Sequence, residues 1–314
     1  AEAGEAEADE AETNEVETDE AETDKEETEE TGSDESGELT NSSEYGIELS
    51  AELDDHGNVK LSWELMDSLK DGQYSYIIYK NDQILDTVAL ENDQILCYED
   101  ADVIASATYS YCIELKGDAD GQNAGTYKSD YAYVSIPNAL NIENGYITID
   151  EDMEVLELNM TGGSLTIEEG HKLIVKRNVT LKNATICNYG ELYCNSNFEA
   201  TDSRVYMYYT QDAYWFVGED ITMEQGTMEL SRGSARFDGS CTFNCNIYYY
   251  DDFQVVIGGD SRQDICIKAE NYYSFPKMEI VNTSPEGVHF QNAFRSNGMA
   301  LNNADVFMGE NKAV

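Results

Sequence analysis

The chain has 314 residues, which is enough for two domains plus additional segments, and its 64 acidic and 18 basic residues give a formal net charge of −46. This charge repels the phosphates of nucleic acids and the headgroups of anionic lipids, so neither is expected as a partner. No apolar stretch is long enough to cross a bilayer, so no membrane span is predicted in this chain. Because the chain begins at Ala1, we expect a mature or trimmed product, and the absence of a signal peptide does not argue against secretion.

Residues 1–44 contain 20 acidic residues, one lysine (Lys25) and no aromatic residue. Such a segment buries too little apolar surface to offset the entropy of ordering, and its charges repel one another. The sequence therefore predicts a disordered acidic stalk, whose role is either to hold the folded part at a distance or only to keep it soluble.

Residues 45–137 show short runs in which apolar and polar residues alternate, separated by turn residues such as Gly57 and Asn81. Alternation with a period of two is typical of strands with one buried and one solvated face. About seven such strands in so short a segment predict an antiparallel β-sandwich.

Several motifs of this segment resemble those of a fibronectin type III domain. Val59, Leu61 and Trp63 resemble its second strand with the core tryptophan, and the run from Tyr76 to Asp82 resembles its third strand and the following turn. The run from Thr108 to Ile113 resembles its sixth strand, with Tyr109 at the tyrosine-corner position. The resemblance covers 45–137 and implies a fibronectin type III-like β-sandwich.

Residues 138–314 carry three series of short apolar pairs that recur about every 20 residues. Members of the three series are Ile147, Leu165, Ile186, Val205, Met228 and Ile247; Val155, Leu173, Leu192, Trp215, Ala235 and Val255; and Val179, Phe198, Ile221, Phe243 and Ile265. Three short strands per period, with Gly, Asn and Asp between them, predict a parallel β-solenoid (β-helix) whose inward side chains stack from turn to turn. We expect it to end either in a capping segment from about residue 276 or as part of a longer protein.

Parts of this region resemble repeats of large surface proteins of Gram-positive bacteria, some of which carry YD-repeat (RHS) regions. The resemblance covers about 145–292, and its motifs include the runs 163–167, 173–181 and 226–230. It implies an extracellular or cell-surface location and a structural or adhesive role, and it supplies no catalytic residues.

No cofactor or metal site is predicted. The three histidines (His56, His171 and His289) lie in different segments, and no Cys-x-x-Cys pair exists among the seven cysteines. We interpret the cysteines as small core residues, with a Cys187–Cys194 disulfide left open. The run Asp118–Asn123 departs from the EF-hand pattern and is interpreted as a hairpin loop, so only opportunistic Ca²⁺ binding to the acidic surface is expected.

Paired carboxylates drive glycoside hydrolysis, and the adjacent acids Asp251–Asp252 and Glu219–Asp220, together with Asp202, are the candidates. In so acidic a chain such pairs also arise by chance, so we interpret them as solvated corner residues.

The chain contains 22 tyrosines, many of them in clusters. Exposed aromatic rings stack on the apolar faces of sugars, which makes Tyr208, Tyr209, Tyr214, Tyr249 and Tyr250 candidate carbohydrate-binding residues. The alternative is that tyrosine is simply a favourable strand residue that packs against its neighbours.

The sequence thus predicts an all-β protein with three parts: the stalk (1–44), the sandwich (45–137) and the solenoid (138–314). The leading functional prediction is a non-enzymatic surface or adhesin-like display module, with glycans or other surface proteins as partners. One alternative is a carbohydrate-binding module that uses the tyrosines above. The second is a solenoid polysaccharide lyase or hydrolase, which the small number of arginines disfavours. Acids clustered with an arginine in a groove would favour it again.

Overall fold

The computed structural model describes residues 46–65, 74–88, 96–117, 126–208, 213–250, 252–268 and 275–308. These belong to one compact unit, Thr40–Val314. The predicted stalk (1–44) and the hairpin loop 118–123 lie outside the described residues. Every helix or strand element within the described ranges is a β-strand, so the all-β prediction is confirmed.

The first part of the unit consists of eight antiparallel strands in two sheets that enclose one core. Strands β1, β2 and β5 form one sheet, and β4, β3, β6, β7 and β8 form the other. In chain order the strands are β1 (Ile47–Leu53), β2 (Val59–Leu65), β3 (Tyr74–Lys80), β4 (Gln83–Val88), β5 (Cys97–Asp100), β6 (Thr108–Gly117), β7 (Thr126–Lys128) and β8 (Ala132–Ser135). We refer to this part as the sandwich.

Alternation along the sandwich strands places one face of each sheet in the core. Strand β2 alternates strictly, so that Val59, Leu61 and Trp63 are buried while the residues between them are exposed. The core also contains a carboxylate, Asp100, which accepts a hydrogen bond from the Tyr111 hydroxyl at 2.7 Å. A buried charge requires such partners because desolvation without them is costly.

The remaining strands are parallel and wind into a solenoid, as the sequence predicts. They are β9 (Leu140–Glu143), β10 (Tyr146–Ile149), β11 (Met153–Val155), β12 (Leu158–Thr161), β13 (Ser164–Ile167), β14 (Lys172–Val175), β15 (Val179–Lys182), β16 (Thr185–Asn188), β17 (Glu191–Cys194), β18 (Phe198–Thr201), β19 (Arg204–Met207), β20 (Tyr214–Val217), β21 (Ile221–Leu230), β22 (Ser234–Phe237), β23 (Cys241–Tyr249), β24 (Gln254–Ile257), β25 (Gln263–Ile267), β26 (Lys277–Ile280), β27 (Val288–Phe290), β28 (Met299–Leu301) and β29 (Val306–Met308). Most of the predicted registers are confirmed: Leu165 pairs with Ile186, and Leu173 pairs with Leu192, which pairs with Trp215. Val155 is displaced by two residues, since it pairs with Val175 and not with Leu173.

The three series form two sheets rather than three. An eight-stranded sheet, here called the second sheet, runs in the order β11-β14-β17-β20-β22-β24-β26-β28, and the other two series share a thirteen-stranded sheet. The series merge in β21 and β23, which are long continuous strands. The predicted alignment of Phe243 with Ile221 is wrong by two residues, since Phe243 pairs with Met223. Apolar residues recur every second position here, so the sequence pattern alone does not fix this register.

The solenoid core contains a stack of aromatic rings. Trp215 lies between Phe198 and Phe237, with ring centroids 4.9 and 5.3 Å away, and all three side chains are buried. Polar residues enter the interior at corners, where they bind backbone carbonyls. The Gln263 amide donates to the carbonyls of Phe237 and Gly239, and the Asn282 amide donates to Gln263 Oε1 at 2.8 Å.

Sandwich and solenoid meet through a defined set of contacts. Leu156 belongs to the solenoid segment of the chain but packs in the sandwich core. The Arg177 guanidinium donates hydrogen bonds to the carbonyls of Gly57, Ala101 and Val103 at 3.0–3.2 Å. The junction is therefore packed and hydrogen-bonded and not merely a linker.

All seven cysteines are free thiols, so the disulfide left open for Cys187 and Cys194 is not formed. Cys187 is on β16 in the thirteen-stranded sheet, whereas Cys194 is buried on β17 in the second sheet. In the described part of the chain, no helix is long and apolar enough to cross a membrane.

Candidate functional site

The outer face of the second sheet forms a long shallow groove. Strands of this sheet have the alternation half-buried, buried, half-buried, buried, so two residues per strand point outward. A concave region of about 600 Å³ lies on this face, and a second of about 660 Å³ lies beside it at the corner that follows these strands; both are lined by Gly218 and Asp238. Each region is in the size range of ligand sites, and together they span several successive turns.

The floor of the groove is aromatic at its centre. Tyr193, Tyr214 and Phe216 are outward residues of β17 and β20, and the ring centroid of Tyr193 lies 5.6 Å from Tyr214 and 6.2 Å from Phe216. The Tyr193 hydroxyl donates to Glu191 Oε2 at 2.5 Å. This bond fixes the ring, and burial together with the bond raises the pKa of the Tyr193 phenol. Fixed, half-buried rings are suited to stack against sugar faces.

An arginine–carboxylate pair follows on the next strand. Arg236 pairs with Phe216 in the parallel register, and Asp238 lies two residues further on, so the period of two brings both side chains to the same face. Arg236 Nε donates to Asp238 Oδ1 at 2.7 Å, and the two side chains are 41% and 19% exposed. The hydrogen bond to Asp238 raises the pKa of the Arg236 guanidinium. The guanidinium is therefore a fixed cation that retains N–H groups for a second acceptor.

Glycines leave space around this pair. Gly218 and Gly258 are the backbone neighbours of Asp238 on the strands below and above, as shown by the hydrogen bonds that join Asp238 to Val217 and Gly258 to Phe237. A Cβ on Gly258 would lie 2.2 Å from Asp238 Oδ1 and 2.9 Å from Arg236 Nη2. Any side chain at this position would displace the ion pair, so the glycine keeps the pair in place and open to a ligand.

Further carboxylates line the same region. Glu219, Asp220 and Asp260 lie beside Arg236 and Asp238 in the 660 Å³ part of the groove. Glu219 and Asp220 are held in place, because Glu219 accepts from the Asn197 amide at 3.0 Å and Asp220 accepts from the Ser240 N–H at 2.8 Å. Positioned carboxylates beside a fixed cation can act as proton acceptors, proton donors or partners of sugar hydroxyls.

The described residues contain no group of three or more His, Cys, Asp or Glu side chains arranged to hold a metal ion. The described carboxylates of the groove therefore do not form a preformed metal centre. The predicted opportunistic binding of Ca²⁺ to the acidic surface stays a prediction.

The structure places the sequence-predicted tyrosines on different faces. Tyr214 lies on the outer face of the second sheet, where its ring contacts that of Tyr193. Tyr208 follows β19, where its ring stacks on Tyr189 and Tyr206 at 5.2 Å each, and burial raises its pKa to about 12. Tyr249 packs against the core, and Tyr250 is 53% exposed next to it. Tyr209 lies outside the described residues. On the outer face of the second sheet, the structure brings Tyr214 together with Tyr193 and Phe216, two aromatic residues that were not predicted from the sequence.

Of the candidate acids, only Glu219 and Asp220 lie in the groove. Asp202 is a corner residue with a positive φ of 50° on the thirteen-stranded sheet, Asp252 is exposed, and Asp251 lies outside the described residues. Sequence reasoning missed Arg236 and Asp238 as a pair. They are two residues apart at the end of β22, where side chains alternate between the inner and the outer face. This spacing could have indicated that both side chains point outward.

No family model matches the chain, and no curated protein matches it in sequence. Similar solved structures are pectate lyases. Pectate lyase Pel3 from Pectobacterium carotovorum is 12% identical, with 84% of this chain and 86% of that chain covered and a TM-score of 0.23. Pectate lyase PelI from Erwinia chrysanthemi in complex with tetragalacturonic acid is 13% identical, with 83% and 85% covered and a TM-score of 0.22. At this identity the likeness concerns the fold.

These matches overturn the leading functional prediction. The sequence analysis expected a non-enzymatic surface and display module, whereas the solved structures that match this chain are enzymes. The prediction took the absence of a recognised catalytic motif as evidence that no site exists. In a solenoid, a site is assembled from single outward residues on successive turns, so no contiguous motif is required.

Proposed function

We propose that this chain cleaves a polysaccharide that lies along the groove of the second sheet, and that it acts as a lyase on a chain containing uronates. The observation that carries the proposal is the Arg236–Asp238 pair, which lies in an open groove between an aromatic floor and further carboxylates. This is the arrangement that the second alternative of the sequence analysis required.

The groove supports binding of an extended glycan. Successive strands of a parallel sheet are about 4.8 Å apart, a spacing comparable to one sugar unit of an extended chain. Outward residues on neighbouring turns can therefore contact neighbouring sugars. Tyr193 and Phe216 offer stacking surfaces, and Arg236 offers a cation that matches a uronate carboxylate.

The lyase chemistry would use the residues as follows. Arg236 binds the carboxylate of a uronate and stabilises the negative charge that develops when the proton on the adjacent carbon is removed. A groove carboxylate accepts that proton. The bond between the sugar and the departing oxygen then breaks, a carbon–carbon double bond forms, and the departing oxygen takes up a proton.

Hydrolysis is the second candidate, because acids outnumber cations in this part of the groove. Glu219, Asp220, Asp238 and Asp260 line it together with a single arginine. Two of these carboxylates could serve as acid and base in water-mediated cleavage, and a neutral glycan would then be the better substrate.

The test is incubation of the protein with polygalacturonate and with a neutral plant glucan, followed by two readouts. Lyase action produces reducing ends together with the ultraviolet absorbance of an unsaturated uronate, whereas hydrolysis produces reducing ends without that absorbance. Formation of neither product from either glycan, or from a wider panel of wall polysaccharides, would contradict the proposal.

A matched pair of variants locates the activity. Arg236→Ala should lower kcat/KM by about 10- to 100-fold, the effect of losing one charge-assisted hydrogen bond to the substrate. Arg262→Ala is the control. Arg262 also pairs with an aspartate two residues later in the sequence, Asp264, at an N–O distance of 3.1 Å, but neither residue lines the groove. Equal loss in both variants would show that the effect is not local to the groove.

We also propose that the sandwich is a fibronectin type III-like domain and that the boundaries of the three parts are those predicted from the sequence. Trp63 in the core and the hydrogen bond from the Ile104 N–H to the Tyr109 hydroxyl, 3.1 Å long, support this assignment. An extracellular location follows from the proposed substrate, because structural polysaccharides lie outside the cell. Detection of the native protein in culture supernatant or on intact cells would test it.

A further inference from the structure

The described residues of the sandwich reach the groove through one turn. This turn between β1 and β2, here called the sandwich turn, brings Asp55 and His56 to the 600 Å³ region. The outer face of the five-stranded sheet of the sandwich carries a separate group of aromatic side chains, Tyr79, Tyr131 and Tyr133, none of which lines the groove. The groove therefore leaves this face of the sandwich without an assigned role.

Two of these rings are held across the sheet by their hydroxyl groups. Strands β3 and β8 both pair with β6, which lies between them. Tyr131 directly precedes β8, and its hydroxyl donates at 2.5 Å to Oδ1 of Asp82 in the turn that follows β3. The Tyr79 hydroxyl on β3 donates to Glu114 Oε2 on β6 at 2.8 Å. Because each bond crosses to another strand, both rings lie along the sheet instead of projecting from it.

A buried thiol beneath the rings shows that this layer is closed. Cys112 lies opposite Tyr79 in the register, and both of its neighbours in β6 belong to the sandwich core, so its own side chain points outward. It is nevertheless fully buried. The Lys128 ammonium lies 5.1 Å from the ring centroid of Tyr79 and 5.5 Å from that of Tyr131. The two rings and the lysine therefore cover the thiol and form one continuous surface.

Tyr133 and Ile84 extend this surface to either side. Tyr133 follows Tyr131 by two residues and is 69% exposed, and the two ring centroids lie 6.3 Å apart with the ring planes at 35°. Ile84 pairs with Tyr79 from the edge strand β4 and is 62% exposed. The surface thus crosses the four strands β4, β3, β6 and β8. Three strand steps correspond to about 14 Å, which is the length of roughly three sugar units.

The charges on this surface are balanced. Asp82 and Glu114 are matched by Lys128 and by Lys116, whose ammonium lies 3.4 Å from Glu114. Burial raises the pKa of the Cys112 thiol, which therefore stays neutral. A charged sugar gains no net attraction here, and the formal charge of −46 on the chain repels a polyanion. The surface therefore suits an uncharged ligand with flat apolar faces.

We propose that this face of the sandwich is a second, non-catalytic site that binds an uncharged polysaccharide. Sugars with equatorial hydroxyls, as in cellulose, present flat C–H faces that stack on Tyr131 and Tyr133. The carboxylates and the Lys128 ammonium beside the rings bond the sugar hydroxyls. Because the rings are already fixed, little conformational entropy is lost on binding. This inference goes beyond the proposed function, since the site holds the protein on a neutral polymer without taking part in cleavage.

The test is native affinity electrophoresis of the full chain in gels that contain hydroxyethylcellulose, with Arg236→Ala in every protein to suppress turnover in the groove. Tyr133→Ala should raise the apparent Kd about 3- to 10-fold, and Tyr131→Ala combined with Tyr133→Ala should raise it further. Tyr146→Ala is the matched control, because Tyr146 is an 88% exposed tyrosine of the solenoid strand β10 and should leave the Kd unchanged. An unchanged melting temperature for Tyr133→Ala would exclude an effect through folding.

Equal apparent Kd values for the parent, Tyr133→Ala and the double variant would overturn the inference. If Phe216→Ala abolished retardation instead, the glucan would bind in the groove, and the assignment to the sandwich would be wrong. The same conclusion follows if hydroxyethylcellulose, xylan and galactomannan all fail to retard the protein, or if this face captures a protein and none of these glycans. These results leave the proposed function intact, because product formation from polygalacturonate by the protein that retains Arg236 tests it separately.

Discussion

The sandwich and the solenoid bury similar side chains but assemble them differently. In the sandwich, antiparallel strands from distant parts of the sequence close around one core, as when β3 pairs with β6. In the solenoid, each strand pairs with the equivalent strand one turn later, as when β14 pairs with β17. The sandwich core is therefore a single cooperative unit, whereas the solenoid core is a series of neighbour contacts.

This difference determines where function can reside. In the solenoid the inward positions alone satisfy the fold, so the outward positions are free to vary from turn to turn. Tyr193, Phe216 and Arg236 occupy the same outward position on three successive strands and differ in chemistry. Among the described residues, the sandwich contributes one turn to the groove, and the contacts of that turn with the solenoid hold it in place.

The largest expected effect concerns the aromatic stack of the solenoid. Trp215→Ala removes a buried ring between Phe198 and Phe237 and should lower the free energy of unfolding by about 4 kcal/mol. Denaturant titration followed by circular dichroism would measure it. Phe216→Ala, which removes the outward neighbour, should cost much less. Equal losses would show that the outer face is as important for folding as the core.

The sandwich has its own sensitive position in Asp100. This carboxylate is 3% exposed and lies 2.8 Å from the Lys80 ammonium and 2.7 Å from the Tyr111 hydroxyl. Asp100→Ala removes the ion-pair partner of Lys80 and leaves the buried Tyr111 hydroxyl without its acceptor, so it should destabilise the sandwich by about 3 kcal/mol. Differential scanning calorimetry would resolve whether the loss is confined to one transition. A loss shared equally with the solenoid would contradict the view that the two cores are separate.

The junction should show a smaller effect. Arg177→Ala removes three hydrogen bonds to sandwich carbonyls and should cost about 2 kcal/mol, expressed as a wider separation of the two thermal transitions. Arg204→Ala, which replaces an exposed arginine of β19, is the control and should leave the separation unchanged. Unaltered calorimetric traces for Arg177→Ala would show that the junction does not couple the two parts.

The smallest expected effect concerns the reactivity of the thiols towards a labelling reagent. Cys97 in the sandwich is exposed, whereas Cys194 and Cys245 in the solenoid are buried, and burial raises the pKa of each of the latter to about 12. A raised pKa keeps a thiol protonated and unreactive until the pH approaches that value, because the thiolate is the nucleophile. Near pH 8 we expect Cys97 to react fastest, and Cys97→Ser should remove the fastest phase. Rapid labelling of Cys194 would indicate that the solenoid opens readily.

Much of the fold was predictable because the inward positions repeat. Leu173, Leu192 and Trp215 stand in register as their spacing predicts, since stacking selects an apolar residue once per turn. The register of Phe243 was not predictable, because Cys241, Phe243 and Cys245 are all apolar and alternate within one continuous strand. Alternation identifies which residues point inward, but it does not determine which inward residue of one strand pairs with which inward residue of the next.

The candidate site was less predictable than the fold for a related reason. Glu219 and Asp220 were recognised as an acidic pair, but nothing in the sequence distinguishes them from other adjacent acids. The role proposed for Arg236 depends on Asp238 and on nearby glycines such as Gly258. Gly258 becomes a neighbour of Arg236 only when the turns of the solenoid are stacked. The contribution of His56 could not be inferred at all, because it depends on how the sandwich turn meets the second sheet.

The stacking of Arg236 above Phe216 and Tyr193 has a consequence for how such a protein changes over time. Because each turn contacts only its two neighbours, a duplicated segment such as 172–190 would insert as one more layer without rebuilding the rest. Each inserted layer would move the cation away from the sandwich turn by about 4.8 Å, close to one sugar unit. Under the proposed function, the number of layers between them sets the length of glycan recognised, so copying or deleting whole turns would alter that length while the contacts within the other turns are preserved.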